Sequence, residues 1–111
     1  MNWIPLTTET QLEQVIDRSF ARPQAIYKHS TRCALSSMAK SRLERGLQPT
    51  HLDFHFLDLL AHRFLSRKIE EVFGVTHESP QLLLIKNGIC VYHESHSAIN
   101  MSEVLEKSAA A

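Results

Sequence analysis

The stretch Pro80-Gln81-Leu82-Leu83-Leu84-Ile85-Lys86-Asn87-Gly88 constrains the fold more than any other. Successive side chains of a strand point to opposite faces, so an unbroken apolar run belongs to a strand covered on both sides. Asn-Gly is the residue pair of a tight hairpin turn, and the chain then returns antiparallel over Ile89 to His93. The other strand patterns are separated by helices, and such connections demand crossovers with parallel pairing. A mixed sheet with helices on both faces meets both demands.

The upstream sequence supplies those helices. Thr8-x-x-Gln11 has the spacing of a capping box, and Leu12, Val15 and Ile16 follow at helical intervals, which predicts a helix over residues 8–19. Ala21-Arg22-Pro23 breaks it, and Gln24 to Lys28 reads as a short strand. After the turn His29 to Arg32, Leu35, Ala39 and Leu43 share one helical face, which ends at Gly46, Gln48 and Pro49. Leu52, Phe54 and Phe56 alternate with His51, Asp53 and His55, a strand pattern. Leu65, Ile69, Val72 and Phe73 mark a third helix stopped by Gly74. Asn100-x-x-Glu103 caps a last helix carrying Val104 and Leu105 inward, and Ser108 to Ala111 reads as a frayed tail. The order is α-β-α-β-α-β-β-α, with a short extra strand at residues 3–6. The expected architecture is α/β, a central mixed sheet of four to five strands, in one domain spanning residues 1–111.

Twelve basic and twelve acidic residues balance, which argues against a nucleic-acid or membrane-surface partner. No run approaches the roughly 20 apolar residues that cross a bilayer. Met1-Asn2-Trp3-Ile4-Pro5-Leu6 lacks the basic flank and apolar run of a secretory signal. The expected location is the cytoplasm, where thiols are kept reduced and a Cys33–Cys90 disulfide is disfavoured.

Cys33 carries the chemistry. It stands where the apolar run before Lys28 gives way to a polar turn and then to a helical pattern. The unpaired N–H groups and the positive dipole end of a helix start favour the thiolate, the reactive form of cysteine. Lys28, His29 and Arg32 are candidate positive charges nearby, and Thr31 and Ser36 are candidate helix caps or partners of the sulfur. Cys90, inside the last strand, reads as a packed sheet cysteine.

Lys28-His29-Ser30-Thr31 with Cys33 and Ser36, Arg63 with Leu65-Ser66, His77-Glu78-Ser79-Pro80-Gln81, Asn87-Gly88, and His93 with Ser95-His96 together resemble the monothiol bacilliredoxin family of YtxJ type. That family lies within the thioredoxin-like superfamily, and the resemblance covers nearly the whole chain. It implies a thioredoxin-like fold and a monothiol thiol-disulfide oxidoreductase in which Cys33 strips bacillithiol from protein mixed disulfides. It implies no tightly bound cofactor; bacillithiol or a similar small thiol is the co-substrate, and bacillithiolated proteins are the partners. Pro80 takes the place of the cis-proline that faces the active sulfur, with Ser79 offering backbone groups to the substrate. Thr31, Arg32, Ser36, Ser79 and Pro80 are thus the expected substrate-binding residues. Arg32 and Arg63 are candidate partners for the malate carboxylates of bacillithiol, whose geometry suits a guanidinium fork. One position departs from the family: proline usually follows the cysteine, and here Ala34 does.

A dithiol enzyme would carry a second cysteine three positions beyond or before Cys33, and Ser36 and Ser30 occupy those places. The competing reading is a monothiol-glutaredoxin-like module that binds or carries an iron–sulfur cluster between two subunits. Against it, Glu94-Ser95-His96-Ser97 replaces the glycine-rich segment of that family. The histidines form no expected metal site. On a strand His51 and His55 share a face but lie roughly 13 Å apart, and no Cys-x-x-Cys accompanies His93 and His96. His29, His77 and His96 are expected to surround the thiol and help hold it ionised.

Overall fold

The structure, a computed structural model, describes residues 1–110. In chain order the elements are β1 (Trp3–Pro5), α1 (Glu9–Arg18), β2 (Gln24–His29), α2 (Ala34–Arg45), β3 (Asp53–Asp58), α3 (Arg63–Phe73), β4 (Gln81–Lys86), β5 (Ile89–Ser95), a 3-10 turn (His96–Ala98) and α4 (Met101–Ala109). The five strands form one sheet in the order β1-β3-β2-β4-β5. β3 runs parallel to β1 and β2, while β4 runs antiparallel to β2 and β5. This is the mixed α/β sheet required by the crossovers and the Asn-Gly hairpin, where Asn87 and Gly88 both adopt positive φ.

The apolar pattern explains the layering. Ala25, Tyr27, Leu82 and Leu84 pack on one face of the sheet with Ala39 and Leu43 of α2 and Met101 and Val104 of α4. Ile26, Leu83 and Ile85 pack on the other with Leu12 and Val15 of α1 and Leu65 and Ile69 of α3. β4 is buried from Gln81 to Ile85, because each face of the central sheet is roofed by two helices. Truncating a leucine in such a strand costs about 2–5 kcal/mol.

The helix ends follow their signals. Thr8 caps α1 in a full capping box with Gln11, and Asn100 Oδ1 accepts from Glu103 N–H at 2.9 Å. Gly74 closes α3 in the left-handed conformation, where a side chain would be strained.

Three boundaries differ from expectation. β3 begins at Asp53, not His51: its parallel pairing with β2 starts at Gln24, and Pro49 to Leu52 forms the approach. β5 continues to Ser95, paired with Gln81. Ser108 and Ala109 belong to α4, where Ser108 is buried and its hydroxyl lies 2.9 Å from His51 Nε2. Of the expected frayed tail, Ala111 lies outside the described residues.

Candidate active site

Three connections meet at one end of the sheet. The parallel strands β2 and β3 both finish there, and β4, running the other way, begins there. Lys28 pairs with Gln81, so Pro80 lies beside the end of β2, where the chain turns towards Cys33. Ser95, at the end of β5, pairs with Gln81, and the amide of His96 donates to the Pro80 carbonyl at 3.0 Å. The Ser79–Pro80 bond is cis, as the resemblance implies.

Cys33 is the N-cap residue of α2, in extended conformation, and is partly exposed. Its amide donates to the Ser30 carbonyl at 3.1 Å, which closes the turn. The Ser36 backbone amide most strongly favours the ionised sulfur; partial burial opposes it, and the Ser36 hydroxyl and Leu35 amide add to it. The Cys33 thiol is therefore held below the usual range. The Ser36 amide donates to the Cys33 carbonyl at 3.1 Å, and the Cys33 side chain makes no conventional cap. The helix start acts on this sulfur as a field of nearby N–H dipoles.

Ser36 ties the turn together. It is fully buried, its hydroxyl accepts from the Ser30 amide at 3.2 Å, and its carbonyl accepts from the Tyr27 hydroxyl at 2.6 Å. Tyr27, buried under α2, has its phenol pushed up by burial and further by the charge of Cys33. The sequence reading missed this anchor. The signal was a tyrosine in an apolar strand, whose hydroxyl needs a partner once buried.

Several expected charge partners of the sulfur are engaged with other groups. Tyr27 and His29 face α2, so by strand alternation Lys28 faces α3, where its Nζ lies 3.4 Å from the Ser66 carbonyl and 3.2 Å from His77 Nδ1. It is not the positive charge beside the sulfur that its closeness in sequence suggested. His29 and His77 do not serve as charged neighbours either, since burial chiefly holds both below the usual imidazole range. His96 faces Glu78 at 3.4 Å. None of these histidines, nor Lys28 or Arg32, is among the groups that set the Cys33 thiol. Thr31 and Arg32 are exposed in the turn, and Thr31 is not the cap of α2. Arg63 is exposed at the first residue of α3, at the same end of the sheet.

Cys90 sits at the other end. It pairs with Ile85, which pairs with Gln24, so it is level with the start of β2. From Gln24 to His29 is five residue steps, roughly 16 Å along the strand. Its Sγ is 3.3 Å from the Tyr92 carbonyl, and burial raises its thiol above the usual range. Both cysteines are free. His55 is buried with Nε2 2.7 Å from Gln24 Oε1, and among the described residues no group of three or more His, Cys, Asp or Glu side chains could hold a metal ion. No described helix is long and apolar enough to cross a membrane.

The family model of the monothiol bacilliredoxin BrxC matches residues 4–104. The chain belongs to the monothiol bacilliredoxin family. It is also similar to a solved thioredoxin-fold protein named as a candidate oxidoreductase, with 31% identity and a TM-score of 0.84 over 95% of this chain and 92% of that one. A thioredoxin of Malassezia sympodialis superposes with a TM-score of 0.73 at 15% identity, covering 96% of this chain and 86% of that one. The thioredoxin of Trypanosoma brucei brucei gives 0.76 at 10% identity, covering 96% and 87%. Those two show the thioredoxin fold alone. With the bacilliredoxin family and the oxidoreductase relative, the role is that of a thiol oxidoreductase. In a bacilliredoxin of this fold, Ala34 occupies the first helical position after Cys33, with an exposed side chain.

Proposed function

We propose that this bacilliredoxin removes bacillithiol from protein mixed disulfides through Cys33 alone, in the cytoplasm. The observation that carries the reading is the setting of the two sulfurs. Cys33 is partly exposed on amides that favour its thiolate, and the positions for a partner cysteine hold Ser30 and Ser36. Cys90 is half-buried at the far end of the sheet, where burial raises its thiol pKa.

The Cys33 thiolate attacks the bacillithiol sulfur of the mixed disulfide. A new S–S bond forms to Cys33, the old one breaks, and the target cysteine leaves as a thiolate that takes up a proton. A second bacillithiol, as thiolate, then attacks the bacillithiol sulfur on Cys33 and restores the Cys33 thiolate. The products are a reduced target and a bacillithiol disulfide. A low leaving-group pKa speeds this second step, so one helix start assists both halves.

The exposed side chains at this end of the sheet suit a protein bearing a small acidic thiol. Leu35 and Met38 of α2 and Phe64 of α3 are exposed apolar groups on elements that begin at this end of the sheet. Arg32 and Arg63 are exposed there too and match the malate carboxylates. Thr31, Ser36, Ser79 and Pro80 complete the proposed substrate surface, with Ser36 acting from beneath by fixing the turn. Reduced protein mixed with peptide disulfides of bacillithiol, coenzyme A or glutathione tests the reading by intact mass. The expected result is rapid transfer of bacillithiol to Cys33. Transfer to Cys90, or none from any of the three, contradicts it.

A further inference from the structure

Lys28 is the least expected side chain of the core. It is fully buried in the middle layer, and its burial lowers the ammonium to about 8. Such a group works against folding unless its contacts offset the cost of leaving water. Its contacts lie on α3 and on the segment that precedes Pro80. Nζ lies 3.2 Å from His77 Nδ1 and 3.4 Å from the Ser66 carbonyl, and Ser66 Oγ lies 3.3 Å from the same ring nitrogen. An ammonium can only donate, so His77 Nδ1 accepts from it, and desolvation followed by the Lys28 charge lowers the imidazole pKa. Glu70 of α3 accepts from the His77 amide. Gln81 completes the frame, donating to the Thr76 carbonyl at 3.0 Å.

Residues 76–80 are thus tied to β2 and α3 on one side, and they end in Ser79 and Pro80 beside the turn that carries Cys33. Within that loop the Ser79 hydroxyl is buried and has no hydrogen-bond partner among the described residues. A polar atom left in that state is an energetic cost to the loop, which the ties to β2 and α3 must offset.

We propose that Lys28 is a positioning residue for substrate: from the α3 side of the sheet it holds His77, and through His77 it sets the Thr76–Pro80 loop so that Ser79 meets the substrate beside Cys33. The proposal rests on the disulfide-exchange reading above and adds the residue that fixes its substrate-side wall. Lys28 touches no reacting atom. Its loss changes how well the substrate seats, while the thiol chemistry of Cys33 stays as it is.

The test combines two readouts on the full chain: amide hydrogen exchange over residues 76–81, and steady-state removal of bacillithiol from a peptide mixed disulfide. Lys28→Met keeps the volume and removes the charge, and His77→Ala removes the partner from the loop side. Each is expected to raise KM about tenfold, the worth of one charge-assisted hydrogen bond, with kcat and the Cys33 pKa little changed. Exchange over 76–81 accelerates in both, while Lys28→Met raises the thermal midpoint because a buried charge is gone. His77→Asn, which still offers an acceptor near the Nδ1 position, restores most of the KM. A residue with only a packing role would lower the midpoint and leave the loop and the KM alone. Unchanged loop exchange in both Lys28→Met and His77→Ala overturns the proposal, as does an unchanged KM, or a His77→Asn chain as impaired as His77→Ala. The exchange readout needs no turnover, so wild-type protein inactive on the mixed disulfide would sink the functional reading and leave the loop assignment separately testable.

Discussion

The two cysteines share one chain and one side-chain chemistry, and both are partly exposed, yet their thiols are shifted in opposite directions. Cys33 stands past the end of β2, partly exposed, with the amides of Ser36 and Leu35 near its sulfur. Cys90 stands within β5, its sulfur near the Tyr92 carbonyl and its exposure to water cut by the core around Ile85 and Phe73. At Cys90 burial outweighs the Tyr92 and Leu84 backbone groups that favour the thiolate, whereas at Cys33 the N–H groups of the helix start outweigh burial. The lesson is that position relative to a helix start, with depth of burial, puts these two thiols on opposite sides of the ordinary range.

The comparison breaks most visibly by removing each sulfur. Cys33→Ser is expected to abolish removal of the small-thiol cap, and Cys90→Ser to change its rate by less than about twofold, read by release of bacillithiol from a capped peptide. Equal losses would mean that both sulfurs take part.

A smaller effect sharpens the electrostatic side. Ser36→Ala removes the hydroxyl that helps the thiolate and leaves the Ser30 amide without its acceptor. The Cys33 pKa is expected to rise, the rate at pH 7 to fall about three- to tenfold, and stability to drop by about 1–2 kcal/mol. The Cys90 pKa should not move. Thiol titration and chemical denaturation read these changes, and a Cys33 pKa that stays put would remove Ser36 from the account.

The smallest effect concerns Ala34. Cys33 has φ −111° and ψ 116°, the extended conformation that a following proline demands. Position 34 is the first of α2, where a missing N–H costs nothing. Ala34→Pro is therefore expected to stabilise the chain by about 0.4–1 kcal/mol, mostly through the unfolded state. The groups that lower the Cys33 thiol do not include the Ala34 amide, so its pKa should hold. A raised thiol pKa in this variant would show that the first amide of the helix matters as well.

How far the sequence spoke differs between fold and site. The alternation in β3 and the apolar run of β4 were readable because a period of two, with turn residues at the ends, has few other solutions. The start of β3 was not, because His51 and Leu52 continue the alternation although β2 offers pairing only from Gln24 onward. At the site, Cys33 and the cis bond before Pro80 were legible from turn signals and from resemblance. Lys28 was misplaced because nearness in sequence was read as nearness in space, whereas strand alternation sends it to the face opposite Tyr27. His29, His77 and His96 were expected to help hold the thiol ionised, and none of them is among the groups that lower it. Each meets a different neighbour, in turn Phe56, Lys28 and Glu78, and those contacts belong to tertiary packing.

The most direct test is the pH dependence of alkylation by iodoacetamide, followed separately on Cys33 and Cys90 by peptide mass. Only the thiolate reacts, so each rate rises with pH to a plateau whose midpoint is that thiol's pKa. The account requires Cys33 to reach its half-maximal rate below the ordinary thiol value of about 8.5, and Cys90 to react slowly with its midpoint above it. A Cys33 midpoint at or above that of Cys90 would contradict it.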